Sequence, residues 1–322
     1  MSEFALQLLY TFDGTIRLAT PLILCAMAGI FSERSGVIDI SLEGKLLTGA
    51  FVAAAVAHTT GSPWLGVGGA ILASVCMSMI HGFACITHRG NQVVSGLAIN
   101  ILASGLTVTI GIALFRQGGQ TPLLAKGERF GPTEWWLVDL FNHVPILGTI
   151  YRELISGHNM LVYLALFLVP VSAFILYKTR FGLRLRAVGE VPAAVDSAGV
   201  SVIWLRYRAL ILAGLLCGIA GAYLSTAQGA GFVREMSAGK GYIALAAVIF
   251  GKWRPVPALL ACLLFGFLES ASSRLEGVPL PLIGEVPTQL MLALPYIMTV
   301  LLLAGFIGKA NPPKAIGEPY IK

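Results

Sequence analysis

Five polar side chains lie in or beside long apolar runs: Asp39, Glu43, Asn100, Ser104 and Thr107. Asp39 and Glu43 are four residues apart, which puts both carboxylates on one helix face. Asn100, Ser104 and Thr107 follow at intervals of four and three and share a face in the same way. A carboxylate beside an apolar run is costly unless it is paired or sits at an interface. An amide or hydroxyl inside such a run either bonds a neighbouring helix or faces a wet cavity. The segment Phe31–Phe51 therefore reads either as a polar hinge at the mouth of a pathway or as an interfacial cap. Arg34 is its nearest counter-charge, and Lys45 has a stem long enough to snorkel. The chemistry open to such a set is hydrogen bonding to a polar solute.

Bond-making chemistry finds no matching constellation. Lys45, Lys240, Lys252 and Lys309 each follow a glycine, but none completes a Gly-x-x-x-x-Gly-Lys-Ser/Thr phosphate loop. The histidines are scattered, no Cys-x-x-Cys occurs, and the serines of 270–273 have no nearby histidine base. The glycine-rich stretch Gln228–Gly241 reads as a helix break, with an anion cradle as the other use of the same residues. These features point away from an enzyme.

The elements that must carry the polar residues follow from composition. Of 322 residues 56% are hydrophobic and 12% charged, roughly half the charge of a soluble domain. So much apolar surface needs a bilayer as its solvent. The net charge of +6 comes from basic residues flanking apolar runs, which suits orientation in a membrane and not nucleic-acid binding. Cys25, Cys76, Cys85, Cys217 and Cys262 lie in apolar runs and read as small buried hydrophobes. Residues 1–14 hold no Lys or Arg, unlike a cleaved signal peptide.

The expected architecture is all-α, a single polytopic transmembrane bundle over residues 1–322. Its spans are Thr15–Phe31, Val37–Ala57, Trp64–Thr87, Val93–Phe115, Asn159–Tyr177, Val202–Ala227, Gly241–Phe250, Val256–Ser272 and Val286–Ile307, about nine in number. The Gly241 span is too short to cross as a regular helix, so it borrows from Arg234–Lys240 or is broken or re-entrant. In Leu210–Gln228, Gly214, Gly218 and Ala222 recur every four residues as a close-packing stripe. Whether it packs within the chain or across a dimer is open at this stage.

Orientation rests on residues 178–208, where Lys178, Arg180, Arg184, Arg186, Arg206 and Arg208 face only Glu190 and Asp196. Clustered basic residues mark the cytoplasmic side. Alternation then puts the N-terminus outside, the C-terminus inside and most acidic residues outside. Inside this segment, Pro192 suits the first turn of a short helix of about Pro192–Ala198, and Gly199 suits its stop. So short a helix needs a partner surface; Ala193, Ala194 and Ala198 offer it a flat face, with Glu190 and Asp196 beside it. Trp135 and Trp136 suit an interfacial helix. The proline-containing tail 309–322 is expected to be extended and flexible.

Together the ordered motifs resemble the permease subunits of ATP-binding-cassette (ABC) importers for sugars, nucleosides and branched-chain amino acids, nearest the nucleoside-type branch. The residues that carry the resemblance are Pro21, Ser32-Glu-Arg-Ser-Gly36 leading to Leu42-Glu-Gly44, and Val94-Ser-Gly-Leu-Ala-Ile-Asn100. Arg186-Ala-Val-Gly-Glu190 with Ala194 and Gly199, and Gly239-Lys-Gly-Tyr-Ile-Ala-Leu-Ala-Ala-Val-Ile-Phe-Gly-Lys-Trp253, complete the set. Asp39 and Lys45 depart from the family pattern, which commonly has Asn and an apolar residue there; either the two charges compensate each other or they mark a diverged subgroup. The resemblance implies that Arg186, Glu190, Pro192, Ala193, Ala194 and Gly199 form a coupling surface seated on a cytoplasmic ABC ATPase. That partner, and not this chain, would bind ATP and Mg. It also implies a second, homologous permease as heterodimer partner, an extracytoplasmic substrate-binding protein or lipoprotein, and a place in the bacterial inner (plasma) membrane. Asp39, Glu43, Asn100, Ser104 and Thr107 are the expected pathway residues, and neither a metal nor a catalytic residue is expected. The alternative is an ion-coupled secondary transporter, for which Glu269 is the best candidate group.

Overall fold

The computed structural model describes residues 3–133, 156–275 and 311–321, together with residues 151, 279–280, 284–285, 293, 297–298 and 300. Among the described residues the regular structure is helical, apart from a two-residue antiparallel pairing of β1 (Pro279–Leu280) with β2 (Gly284–Glu285). The helices are α1 Glu3–Arg34, α2 Leu42–Thr60, α3 Pro63–Gly82, α4 Gln92–Phe115, α5 Met160–Lys178, α6 Arg180–Glu190, α7 Pro192–Ser197, α8 Val202–Tyr223, α9 Lys240–Phe250 and α10 Pro255–Leu275. Among the described residues, six helical segments, around α1, α3, α4, α5, α8 and α10, are long and apolar enough to cross a bilayer. Several starts are capped by a side chain that accepts a free backbone N–H: Asn91 for α4, Asn159 for α5, Thr179 for α6 and Ser201 for α8. The expected span Val286–Ile307 and the pair Trp135–Trp136 lie outside the described residues.

Helices α1 and α8 form the centre. Four-fifths of their apolar windows are buried (78% and 83%), against 22% for α4 at the edge. Around them, α1 packs on α10 and α8, and α8 packs on α3 and α2. Small residues permit this approach. A Cβ added at Gly218 would lie 2.5 Å from the Ile71 Cα, and one at Gly214 would lie 2.7 Å from the Val75 Cα. The glycines of the stripe in α8 thus pack against α3 of the same chain. Cys25, Cys85, Cys217 and Cys262 are buried as expected, whereas Cys76 is exposed.

Two stretches interrupt the helices, the first mostly buried and the second mostly exposed or half-buried. The expected span Val37–Ala57 becomes helical only at Leu42, and residues 35–41 run irregularly although five of the seven are buried. Their backbone groups are satisfied from elsewhere: Ser32 Oγ donates to Val37 O (2.8 Å), the Ile38 N–H donates to Gln92 Oε1 (2.7 Å), and His81 Nε2 lies 3.0 Å from Ile38 O. Such backbone survives at membrane depth only where protein supplies the missing partners. The second interruption follows a wider helical turn at Leu224–Gln228 and lasts until α9. The Gly241 span is therefore broken: α9 has 11 residues and reaches about 16 Å, half the hydrocarbon thickness.

The segment 178–208 is more ordered than a polar loop. It forms α6 and α7 before α8 begins. Leu185 and Val188 of α6 are buried, and a Cβ at Gly182 would lie 2.1 Å from Ile175 O, so α6 folds back tightly on α5. Residues 311–321 of the tail make backbone contacts with the bundle. Ala315 N donates to Gly189 O (2.9 Å), Gly317 N to Gly36 O (3.1 Å), and the buried Arg206 guanidinium spans Ser35 O (3.2 Å) and Glu318 O (3.1 Å). Three prolines could not by themselves announce this, because the partners belong to α6, α8 and the irregular residues that follow α1.

Candidate functional site

The two interruptions meet. Glu43, in the first turn of α2, sends Oε1 to accept the Gly239 N–H (2.8 Å) and Oε2 to accept the Gly241 N–H (2.6 Å). A carboxylate thus caps the start of α9, where unpaired N–H groups and the helix dipole favour negative charge. The left-handed backbone at Gly239 (φ 81°) turns the chain into α9, a conformation that costs glycine nothing. A Cβ at Gly241 would fall 2.5 Å from the Glu43 N, so the contact needs glycine there. Both uses read for the glycine-rich stretch hold: it breaks the helix and cradles an anion, and the anion belongs to the same chain.

Asn100 on α4 completes the junction. Its Oδ1 accepts the Gly44 N–H (2.8 Å), while Nδ2 donates to Ile40 O (3.0 Å) and the Tyr242 hydroxyl (2.8 Å). One amide therefore ties the irregular residues 35–41, α2, α4 and α9 together. One turn on, Ser104 Oγ donates to the Glu235 carboxylate, which stands on the exposed turn before α9. Tyr242 is 42% exposed, so this polar strip reaches an open face of the chain. Thr107 is not part of it, because it is buried and donates back to Ala103 O (2.8 Å).

Asp39 and Lys45 form a separate closed unit. Lys45 Nζ lies 2.6 Å from Asp39 Oδ2, both side chains are fully buried, and Ser41 Oγ donates to Asp39 Oδ1 (2.6 Å). Asp39 and Glu43 thus diverge: helical spacing does not apply to Asp39, which precedes α2. The counter-charge is Lys45, not Arg34. Arg34 instead donates from Nε to Trp253 O (3.0 Å). Lys45 does not snorkel, since α2 starts inside the protein and its first turn faces the buried loop. Spacing alone missed Tyr242, Glu235 and His81, whereas the double departure at positions 39 and 45 already offered Lys45 as a charge that compensates Asp39. Glu269 is paired with Lys240 (2.7 Å).

The second cluster is the surface around α7. Residues 192–197 form the helix, and Gly199 (φ 76°) ends it, one residue from the expected stop. Val195 packs inward on Val188, Val202 and Leu205, and Tyr320 of the tail covers this group. The Tyr320 hydroxyl bonds the Asp196 carboxylate. Ala193, Ala194, Ala198 and Glu190 remain exposed, Pro192 is half-buried, and Arg186 stacks over the Tyr177 ring at 5.0 Å.

Long apolar helices, irregular buried backbone satisfied by side chains and a small exposed helix at one end define a multi-pass membrane permease body. The chain belongs to the family described as branched-chain amino acid transport system / permease component, whose pattern matches residues 11–303. It is 42% identical over 315 residues to the guanosine ABC transporter permease protein NupQ of Bacillus subtilis, covering 96% of this chain and 95% of that one. It is 37% identical over 310 residues to the nucleoside ABC transporter permease protein NupC of Lactococcus lactis, covering 94% of each. A putative glucose ABC transporter permease protein of Haloferax volcanii, TsgC13, is 35% identical over 310 residues, covering 91% of this chain and 90% of that one. The chain is thus an ABC transporter permease subunit of the plasma membrane.

Proposed function

We propose that this permease forms half of an import pathway for nucleosides, purine nucleosides foremost. The observation that carries the substrate class is the 42% identity, over nearly the whole chain, to a guanosine permease. The polar strip Asn100–Tyr242 and Ser104–Glu235 supports it, since amide, phenol and carboxylate can all meet ribose hydroxyls or a base edge. Glu43 holds the half-helix α9 beneath that strip. Asp39 and Thr107 act in this reading as structural residues of the pathway wall.

Energy comes from a separate cytoplasmic ATPase that binds ATP and Mg and docks on α7 through Ala193, Ala194, Ala198 and Glu190. Its closure biases a two-state membrane body. The basic character of residues 178–208 supports a cytoplasmic position for α7, with the N-terminus outside and the C-terminus inside. A second, homologous permease faces the polar strip, and an external binding protein delivers the substrate. The test is uptake of labelled guanosine and labelled pentose in cells carrying the full transporter, with and without Glu190→Lys. Guanosine accumulation that the variant abolishes, at unchanged membrane level, is the expected result. Pentose accumulation without guanosine would overturn the substrate class, and normal uptake by the variant would overturn the docking surface.

A further inference from the structure

A cavity of about 660 Å³ opens at the end of the bundle that carries α6, between the ends of α1, α5 and α10. Three arginines line it: Arg34, the last residue of α1; Arg186 on α6; and Arg254, just before α10. None of the three forms an ion pair with a described residue, although Arg34 donates to Trp253 O (3.0 Å) and Lys252 O (3.5 Å) and Arg186 stacks over the Tyr177 ring. Arg34 is repelled by both other guanidinium groups and attracted by Glu190, an exposed carboxylate at the end of α6. Arg186 Nε is buried and has no hydrogen-bond partner among the described residues. Three cations around an open space are costly unless an anion occupies the space.

The rest of the lining indicates which anion. Ala173, Tyr177, Pro255, Val256 and Pro257 complete a mostly apolar wall. Val256 is 54% exposed, Leu260 one turn further on is 62% exposed, and Phe174 one turn before Tyr177 on the adjoining α5 is 61% exposed. A charged rim above an apolar groove, at the ends of membrane-crossing helices, matches a phospholipid: phosphate at the headgroup level and a chain along the protein wall. A free phosphate or a carboxylate from a docked protein would use the rim and leave the groove empty.

We propose that this cavity is a binding site for the headgroup phosphate of an anionic phospholipid, held by Arg34, Arg186 and Arg254. One acyl chain lies along Phe174, Val256 and Leu260. The site is independent of the transported substrate and of which leaflet it faces, because both membrane surfaces offer headgroups at this depth. A lipid there would pin the α5–α6 corner, and with it the base of α7, to the bilayer.

The experiment is native mass spectrometry of the intact transporter in micelles doped with dioleoyl-phosphatidylglycerol or dioleoyl-phosphatidylcholine. Wild type should keep phosphatidylglycerol several-fold better. Arg254→Gln should lower that retention about fivefold, the worth of one arginine near a charged surface, while the exposed Arg180→Gln leaves it unchanged. Unfolding temperatures in phosphatidylcholine alone establish that both variants are folded. Equal retention of the two lipids, or no effect of Arg254→Gln, would overturn the proposal. Displacement of phosphatidylglycerol by millimolar inorganic phosphate would also overturn it, assigning the rim to a free anion. Phosphatidylglycerol binding only after the ATPase is stripped off would overturn it too, assigning the rim to a protein partner.

Discussion

The junction around Glu43 and the surface around α7 are both polar and both built on interrupted backbone, yet they are opposites. At the junction, Glu43, Asn100, Asp39 and Lys45 all find partners within the chain, most at 2.6–3.0 Å. At α7, only Val195 turns inward, and Glu190 with three alanines stays exposed. The buried part of the first region, Asp39, Lys45 and Glu43, is closed upon itself and sets the shape of the wall. The second is held just firmly enough to present a face. Polar groups satisfied internally specify structure, and polar groups left in solvent are free to recognise something else.

That contrast can be broken from the closed side first. Lys45→Met alone should destabilise the protein by about 3–5 kcal/mol, because Asp39 is left as a buried lone charge. Adding Asp39→Asn should recover most of that loss, since replacing both partners removes the charge. Thermal unfolding of the two variants in detergent measures both effects, and equal losses would mean the pair is not a unit. Glu43→Ala should cost about 3 kcal/mol, the scale for unpairing two buried N–H groups from a charged acceptor, and should lower uptake with it. Glu43→Gln should cost less, because the amide oxygen still accepts one of the two.

The surface should respond more weakly in stability. Gly189→Ala would put a Cβ 2.3 Å from Arg34 O, an overpacking expected to cost about 1–3 kcal/mol. At Gly199 a Cβ meets nothing within 4 Å, so Gly199→Ala should cost only the left-handed strain of about 1 kcal/mol. Comparing the two melting temperatures sharpens the boundary between the packed base of α6 and the free end of α7. Glu190→Lys sits at the end of the series: it should change stability by less than about 0.5 kcal/mol while abolishing uptake. A large stability loss there would show that Glu190 belongs to the closed region after all.

The helix α7 was almost fully legible because its signals are local. Pro192 opens it, Gly199 closes it, and the structure moves its end by one residue. The start of α2 was not, because Val37 to Ser41 are mostly helix-compatible or apolar residues. What keeps them out of a helix is hydrogen bonding to His81, Gln92 and Asn100, some 40–60 residues away. The polar face of α4 was legible as a face but not as a division of labour. Asn100 ties four segments together and Thr107 serves its own helix, a difference decided by which neighbours lie across from each.

By itself the sequence determined that the chain lives in a bilayer and is helical, because so much apolar surface admits no other solvent and lipid leaves no partner for unpaired backbone. It also determined where the small helix with its exposed face would fall, since proline and glycine act within a turn. Only the tertiary structure decided that Lys45 and not Arg34 balances Asp39, that Glu43 is the anion of the glycine cradle, and that the stripe on α8 packs inside the chain. Those outcomes depend on distances between residues far apart in sequence, which no local preference encodes.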